Sequence, residues 1–218
     1  MRLTHIGHSC LLVETGGARI LLDPGTFSPG FETLTGVDAV LVTHQHPDHV
    51  QADRLPGLLA ANPGAPLVTE PSTVDILAEQ EIGAEPIRPG ESRRFRGATV
   101  HGVGGRHAQM YETDPVVGNV GLLVTADGEP TLFHPGDSYD VAPEGVEVLA
   151  LPLTAPWTGC RGTVDFVRAV SPAVAVPIHD GLLKPAGRQL YLSHVRGRGP
   201  ATMRLLDLAE AGPTEVEI

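Results

Sequence analysis

Two stretches run from an apolar segment straight into side chains of the metal-ligand type. One is VLVTHQHPDH, Val40 to His49; the other is TLFHPGDS, Thr131 to Ser138. Short runs of this kind, bounded by turn residues, read as buried β-strands. A chain built this way delivers polar loop residues to the end of a strand, and so to the edge of a sheet. The same pattern predicts strands over 2–6, 9–15, 18–23, 38–43, 66–69, 98–103, 118–125, 130–134, 146–151 and 173–178. Helices are predicted over 48–61, 72–81, 163–170 and 200–211, with Ser72 and Thr163 as N-caps. About three strands, then strand–helix alternation, then more strands implies layered sheets with outer helices.

An internal echo points to two related halves. LLVETGGARILLDPG (11–25) aligns without gaps on LLVTADGEPTLFHPG (122–136). Each copy reads as a strand, a tight turn at Gly16-Gly17 or Asp127-Gly128, and a second strand. The alignment places Asp23 and His134 at equivalent positions.

The chain has 218 residues, which suits one unit spanning 1–218. Only 4% of residues are aromatic, so the interior must be mostly Val, Leu and Ala. A net charge of −11 repels phosphate backbones and makes nucleic acid a poor partner. No apolar run approaches the length of a membrane span, and MRLTHIGHSC lacks the apolar core of a signal peptide. Two cysteines, Cys10 and Cys160, form no CxxC pair, so neither a disulfide framework nor a thiolate zinc site is expected. The expectation is a cytoplasmic protein with a small-molecule substrate and no nucleic-acid or membrane partner. The sequence leaves oligomeric state open.

HQHPDH concentrates the chemistry. His44 and His46 are two apart at the end of an extended run and can point the same way. Pro47 suits a helix's first turn, which puts Asp48 and His49 at a helix start. Neutral imidazole and carboxylate suit zinc and other first-row divalent ions. Four such groups in six residues cannot easily close on one ion and more readily serve two neighbouring ions. Further ligands are offered where other apolar runs end: His107 in VHGVGGRH, Asp137 in TLFHPGD and His179 in AVAVPIH. Gly136 lets the chain turn so that Asp137 can face the ions. His101 competes with His107 but falls inside a strand.

THQHPDH, His107, PGDS and PIHDG, in that order, resemble the metallo-β-lactamase superfamily over nearly the whole chain. The opening HIGHSCLLVETGGARILLDPG resembles its ascorbate-6-phosphate lactonase-like branch. The resemblance implies an α/β fold, an αββα four-layer sandwich, with the site along one edge of the paired sheets. It assigns His44, His46 and His107 to one metal, Asp48, His49 and His179 to the other, and Asp137 to a bridge. Two divalent ions are implied, zinc favoured, with manganese or iron as alternatives. A hydroxide held between them would attack a carbonyl or phosphoryl centre, with Asp48 as the catalytic group that steers its proton.

The implied reaction is hydrolysis of a small-molecule ester, lactone or phosphoester. A mononuclear iron oxygenase on the same scaffold is the alternative, and it leaves Asp48 and His49 without a role. A nucleic-acid phosphodiesterase fits poorly with the acidic balance. Asp23, in LLDPG, is the candidate to orient a ligating histidine. His5, His8, Thr43, Thr69 and His134 are candidates for site contact. Arg106, Tyr111, Trp157, Arg161, Lys184 and His194 are candidates on the substrate side.

Overall fold

The computed structural model describes residues 1–218. The first half lays down β1 (Arg2–Gly7), β2 (Cys10–Thr15), β3 (Ala18–Leu22), β4 (Ala39–Val42), helix α1 (Leu55–Ala61), β5 (Leu67–Thr69), helix α2 (Pro71–Ala78) and β6 (Glu85–Pro86). The second half lays down β7 (Ser92–Phe95), β8 (Ala98–Gly104), β9 (Val120–Ala126), β10 (Leu132–His134) and β11 (Val148–Pro152). Helix α3 (Cys160–Val170), β12 (Val174–Ile178), helix α4 (Pro185–Arg198), β13 (Arg204–Leu205) and β14 (Thr214–Glu215) complete it.

These strands form two mixed sheets, ordered β14-β1-β2-β3-β4-β5-β6 and β13-β12-β11-β10-β9-β8-β7. In each, an antiparallel meander leads into parallel strands: β1–β3 then β4–β6, and β7–β10 then β11–β13. The closing strand β14 returns to the first sheet beside β1.

Period-two alternation explains why the sheets stack. Leu11, Val13, Ile20, Leu22 and Leu41 from the first sheet meet Val100, Leu122, Val124, Val148 and Val176 from the second. The alternate residues Leu12, Leu21, Val40 and Val42 face outward and are covered by Leu55, Leu58 and Leu77 of α1 and α2. On the other side, Leu149 and Leu151 are covered by Phe166, Val167, Leu192 and Val195 of α3 and α4. The result is the expected αββα sandwich with three apolar layers between four structural ones.

The echoed hairpins are real but not in the same register. β2–β3 pairs Leu11 with Leu22, whereas β9–β10 pairs Leu122 with His134, one residue further on. A one-residue offset flips a strand's faces. Leu22 accordingly faces the inter-sheet layer, while its counterpart Phe133 packs against the outer helices.

Some expectations fail. The helix expected over 48–61 begins only at Leu55, after a 3-10 turn at Ala52–Arg54. Asp48 and His49 therefore lie in a turn, where His46 O accepts from His49 N and Val50 N. Ser72 is not the cap of α2: Glu70 is, accepting from the amides of Ser72 and Thr73. Thr163 lies inside α3, whose cap is Gly159, and its hydroxyl donates to Leu153 O instead. No helix covers 200–211. Leu205 sits in β13 beside β12, and Leu206 N bonds Ala175 O, so sheet pairing overrides that segment's helical look. The real helix, α4, was missed because it buries only Leu192 and Val195 and carries two internal glycines. No helix is long and apolar enough to cross a membrane.

Candidate metal centre

Strands β1, β3 and β4 of one sheet, and β8, β10 and β12 of the other, each run parallel to one another within their sheet. Their C-terminal ends supply His8, Asp23, the 44–49 turn, His107, Asp137 and His179. Three of these residues leave their strands through left-handed backbone: His8 (φ 48°), Asp23 (φ 47°) and His179 (φ 54°). Such conformations are uncommon for side-chain-bearing residues and concentrate at functional sites.

Two glycines from the echoed Pro-Gly pairs allow the loops to meet. A Cβ on Gly25 would lie 1.9 Å from Asp48 O, so LLDPG can pack on the HPDH turn only with glycine there. Gly136 has φ 61°, and a Cβ there would lie 2.2 Å from Asn119 Oδ1. That same oxygen accepts from Asp137 N at 3.0 Å and fixes the carboxylate's approach.

All seven predicted ligand residues converge. His44, His46 and His107 form one group of mutually close ligand atoms, and Asp48, His49 and His179 form another that also includes His8. Asp137 lies between: Oδ1 is 3.1 Å from His49 Nε2 and 3.2 Å from His179 Nε2, and Oδ2 is 3.5 Å from His107 Nε2. His44 Nε2 and His46 Nδ1 face each other at 3.1 Å.

The far ring nitrogens are tied down. His49 Nδ1–H donates to Asp23 Oδ2 at 2.6 Å, His107 Nδ1–H to Ala108 O at 2.5 Å, and His179 Nδ1–H to Thr154 O at 2.6 Å. Thr43 Oγ1 donates to Asp23 Oδ2 (2.8 Å) and so is left to accept from His44 Nδ1–H (3.0 Å). In each of these four rings Nδ1 is held away from the centre by its partner, and Nε2 is the nitrogen turned toward it. His49 Nε2, His107 Nε2, His179 Nε2 and Asp137 Oδ1 are buried with no hydrogen-bond partner. Buried polar atoms are rarely left unsatisfied, and a cluster of four demands an explanation. A divalent cation supplies it, because imidazole nitrogen and carboxylate oxygen are the donors zinc and its neighbours take.

The family-model comparison agrees: the β-lactamase superfamily domain matches residues 2–179. The chain belongs to the metallo-β-lactamase superfamily. The protein Rv0786c of Mycobacterium tuberculosis is 47% identical over 88% of this chain and 89% of its own. A metal-dependent hydrolase of Aeropyrum pernix is 31% identical over 83% and 82%, which sets the chain among the superfamily's metal-dependent hydrolases. The metallo-β-lactamase fold protein YhfI of Bacillus subtilis superposes with a TM-score of 0.71 at 14% identity, covering 97% of each chain.

As in any metallo-β-lactamase-like site, electrostatics follow from packing imidazoles and carboxylates together. Burial drives His44 well below the ordinary imidazole range, and His46 and His8 also fall. His49 and His179 rise against the same burial. Asp137 and Asp23 hold His49 well up; Asp137 and Asp48 hold His179 at about 9. Burial opposes ionisation of Asp137 and Asp48, but the facing imidazoles outweigh it and hold both well below the carboxylate range.

The remaining candidates divide. Asp23 does orient a histidine, and Thr43 joins it. His5 bonds His8 O at 2.8 Å, and His134 donates to Ser9 O at 2.9 Å. Thr69 is buried at the end of β5, and His101 stays in β8. Trp157, expected on the substrate side, donates Nε1–H to Asp137 Oδ2 at 3.0 Å. Arg161 and His194 line a groove with Cys160 and Arg198 that shares no residue with the cluster. Sequence reasoning had no means of finding the carbonyls of Ala108 and Thr154, which act through backbone alone.

Of the candidates for site contact, His8 is the one grouped with Asp48, His49 and His179. Its Nδ1 accepts from Gly181 N–H at 3.0 Å, which uses the lone pair of a neutral ring. Nε2 therefore carries the proton and donates to Asp48 Oδ2 at 3.1 Å. The motif's spacing gave one clue: HIGHS places His8 just past a strand end, as HQHPDH and PIHDG do.

Proposed function

We propose that this chain is a dinuclear metal-dependent hydrolase acting on a small-molecule ester, lactone or phosphoester. The observation that carries the reading is the set of bare, buried atoms His49 Nε2, His107 Nε2, His179 Nε2 and Asp137 Oδ1. In this reading His44, His46 and His107 hold one ion and Asp48, His49 and His179 the other, with Asp137 between them. Zinc is favoured, with manganese or iron as alternatives. Divalent ions held there supply a water whose pKa is lowered to about 7 and polarise the substrate's oxygen.

The chain's own residues do the rest. Asp23, Ala108 O, Thr154 O and the Thr43 hydroxyl fix four rings in the tautomer that turns Nε2 to the centre. Trp157 Nε1–H bonds Asp137 Oδ2 and limits that carboxylate's rotation. Asp48 is partly exposed and held ionised by its imidazole neighbours, so it would accept a hydrogen bond from a water at the centre and orient that water's proton. His8, its own lone pair spent on Gly181, is a positioning residue for Asp48 and not a fourth ligand. The lactonase-like opening supports including lactones. With net charge −11, nucleic acid and membranes are not among the proposed partners. Two free cysteines support a reducing, cytoplasmic location, which cell fractionation would check.

Elemental mass spectrometry on gently purified protein, beside Asp137→Ala, tests the reading. Close to two zinc or manganese ions per chain, reduced in the variant, with turnover of an ester, lactone or phosphoester, is the expected result. No bound metal after reconstitution, or normal turnover in Asp137→Ala, defeats it.

A further inference from the structure

Eight large apolar side chains are exposed, and six of them lie on the loops that carry the cluster. Phe27 follows β3. Met110, Tyr111 and Val116 lie on the loop with His107. Val141 follows Asp137, and Leu182 follows His179. Single exposed apolar residues are ordinary; their collection at one edge of a sheet sandwich is not.

Contacts tie this rim to the centre. Phe27 packs edge-on against the His8 ring at 5.2 Å between centroids. A Cβ at Gly181 would sit 3.2 Å from Phe27 Cβ, so Leu182 continues from the same wall. Ala108 N bonds Asp137 O, which binds the His107 loop to the Asp137 loop, and His107 N bonds Val117 O, which closes the His107 loop on itself. The Trp157 ring flanks His107 at 6.5 Å.

Charge points the same way. The cluster residues bond only to imidazole, carboxylate, carboxamide, hydroxyl, indole and backbone groups. Arg106 donates to Gln109, and Arg188 is clamped by Asp180 and Asp207. Lys184 is exposed at the start of α4. No guanidinium or ammonium forms an ion pair or hydrogen bond with Asp48, Asp137 or any histidine of the cluster, which are paired only with one another, with Asp23 and with neutral groups.

We infer that the substrate is a neutral carboxylic ester or lactone with an apolar acyl or alkyl group, which the rim receives on one side of the reacting carbonyl. This rests on the hydrolase reading and narrows its substrate class. Water's oxygen bonds the acyl carbon, the alkoxy group leaves, and water's proton goes to that alkoxide, giving acid and alcohol in balance.

The test uses zinc-loaded protein with p-nitrophenyl acetate, butyrate and octanoate, and bis-p-nitrophenyl phosphate. kcat/KM should climb at least tenfold from acetate to octanoate, mostly through KM. The pair Phe27→Ser and Leu182→Ser should lower octanoate turnover more than acetate turnover. A flat chain-length series, or preference for the phosphodiester, overturns the inference while leaving a hydrolase. A binding readout separates it from turnover altogether. Trp157 is the single tryptophan, and its fluorescence can follow 2-butanone through 2-decanone, carbonyl compounds that cannot be hydrolysed. Affinity should rise by up to about fourfold per buried methylene; equal binding along the series counts against the inference. If light scattering shows the double variant splitting an oligomer while the chain-length slope persists, the rim is a subunit contact and the inference fails.

Discussion

Asp23 and His134 occupy matching positions in the two echoed hairpins, and their side chains meet at 3.8 Å in the interior. Both are fully buried. From aligned positions in the sequence, offset by one in strand register, each does different work. Asp23 accepts from Thr43 N–H, Thr43 O–H and His49 Nδ1–H. His134 takes the amide of Gly136 and gives its proton to Ser9 O, and so shapes the turn before Asp137.

Replacing Asp23 by Ala should therefore weaken metal binding although Asp23 touches no ion. The expected loss is about 10–100-fold in affinity, the usual cost of removing a ligand's hydrogen-bond partner. Competition with a chromogenic chelator measures it directly. Unchanged affinity at the site holding His49 would show that the 2.6 Å contact has no such role.

His8→Ala makes a different prediction. Because His8 positions Asp48, the variant should keep its full complement of ions and lose turnover. Nitrogen NMR of the metal-loaded parent should find the His8 proton on Nε2. A metal-bound Nε2, or loss of one ion per chain in the variant, would make His8 a ligand after all.

Gly136→Ala joins two costs: a side chain at φ 61° and a contact at 2.2 Å from Asn119 Oδ1. Backbone strain of this kind costs on the order of 1–3 kcal/mol before the clash is counted. Chemical denaturation should show that loss together with weaker metal uptake. Gly64→Ala, at a position with open space around it, is the control and should be close to neutral.

The metal-free protein should be most stable near pH 6.5. His49 and His179 have raised values, so their contribution is whole below the unfolded value of about 6.5 and is lost as pH climbs through the folded one, about 9 for His179. His44, His46, His8 and His134 have lowered values, so theirs is whole above about 6.5 and is lost as pH falls. Scanning calorimetry on chelator-treated protein between pH 5 and 10 should trace a maximum. A Tm that rises steadily to pH 9 contradicts the arrangement.

How much of this was legible follows from the kind of signal. His44, His46, Asp48, His49, His107, Asp137 and His179 could be read because each ends an apolar run, and strand ends gather on one edge. Asp23 was readable through the echo. The layers followed from alternation, as at Leu11, Leu12 and Val13. What escaped was set by tertiary contact. Leu205 joins β12 instead of a helix, and the hairpin register slips at His134. The proton on His8 depends on an amide 173 residues away in sequence. Glu70 caps α2 where Ser72 looked the better cap, because a buried glutamate reaching two amides has no local motif.

The left-handed residues His8, Asp23 and His179 have a consequence for assembly. They turn the chain at three points spread over most of its length, and the last lies in the loop after β12. A chain being synthesised has the whole first sheet except β14 once Pro86 is made, yet it holds only His8, Asp23 and the 44–49 turn of the centre. His107, Asp137 and His179 arrive afterwards, from the other sheet. The full ligand set therefore exists only once both sheets are in place, and any ion that needs residues from both would clasp the halves together.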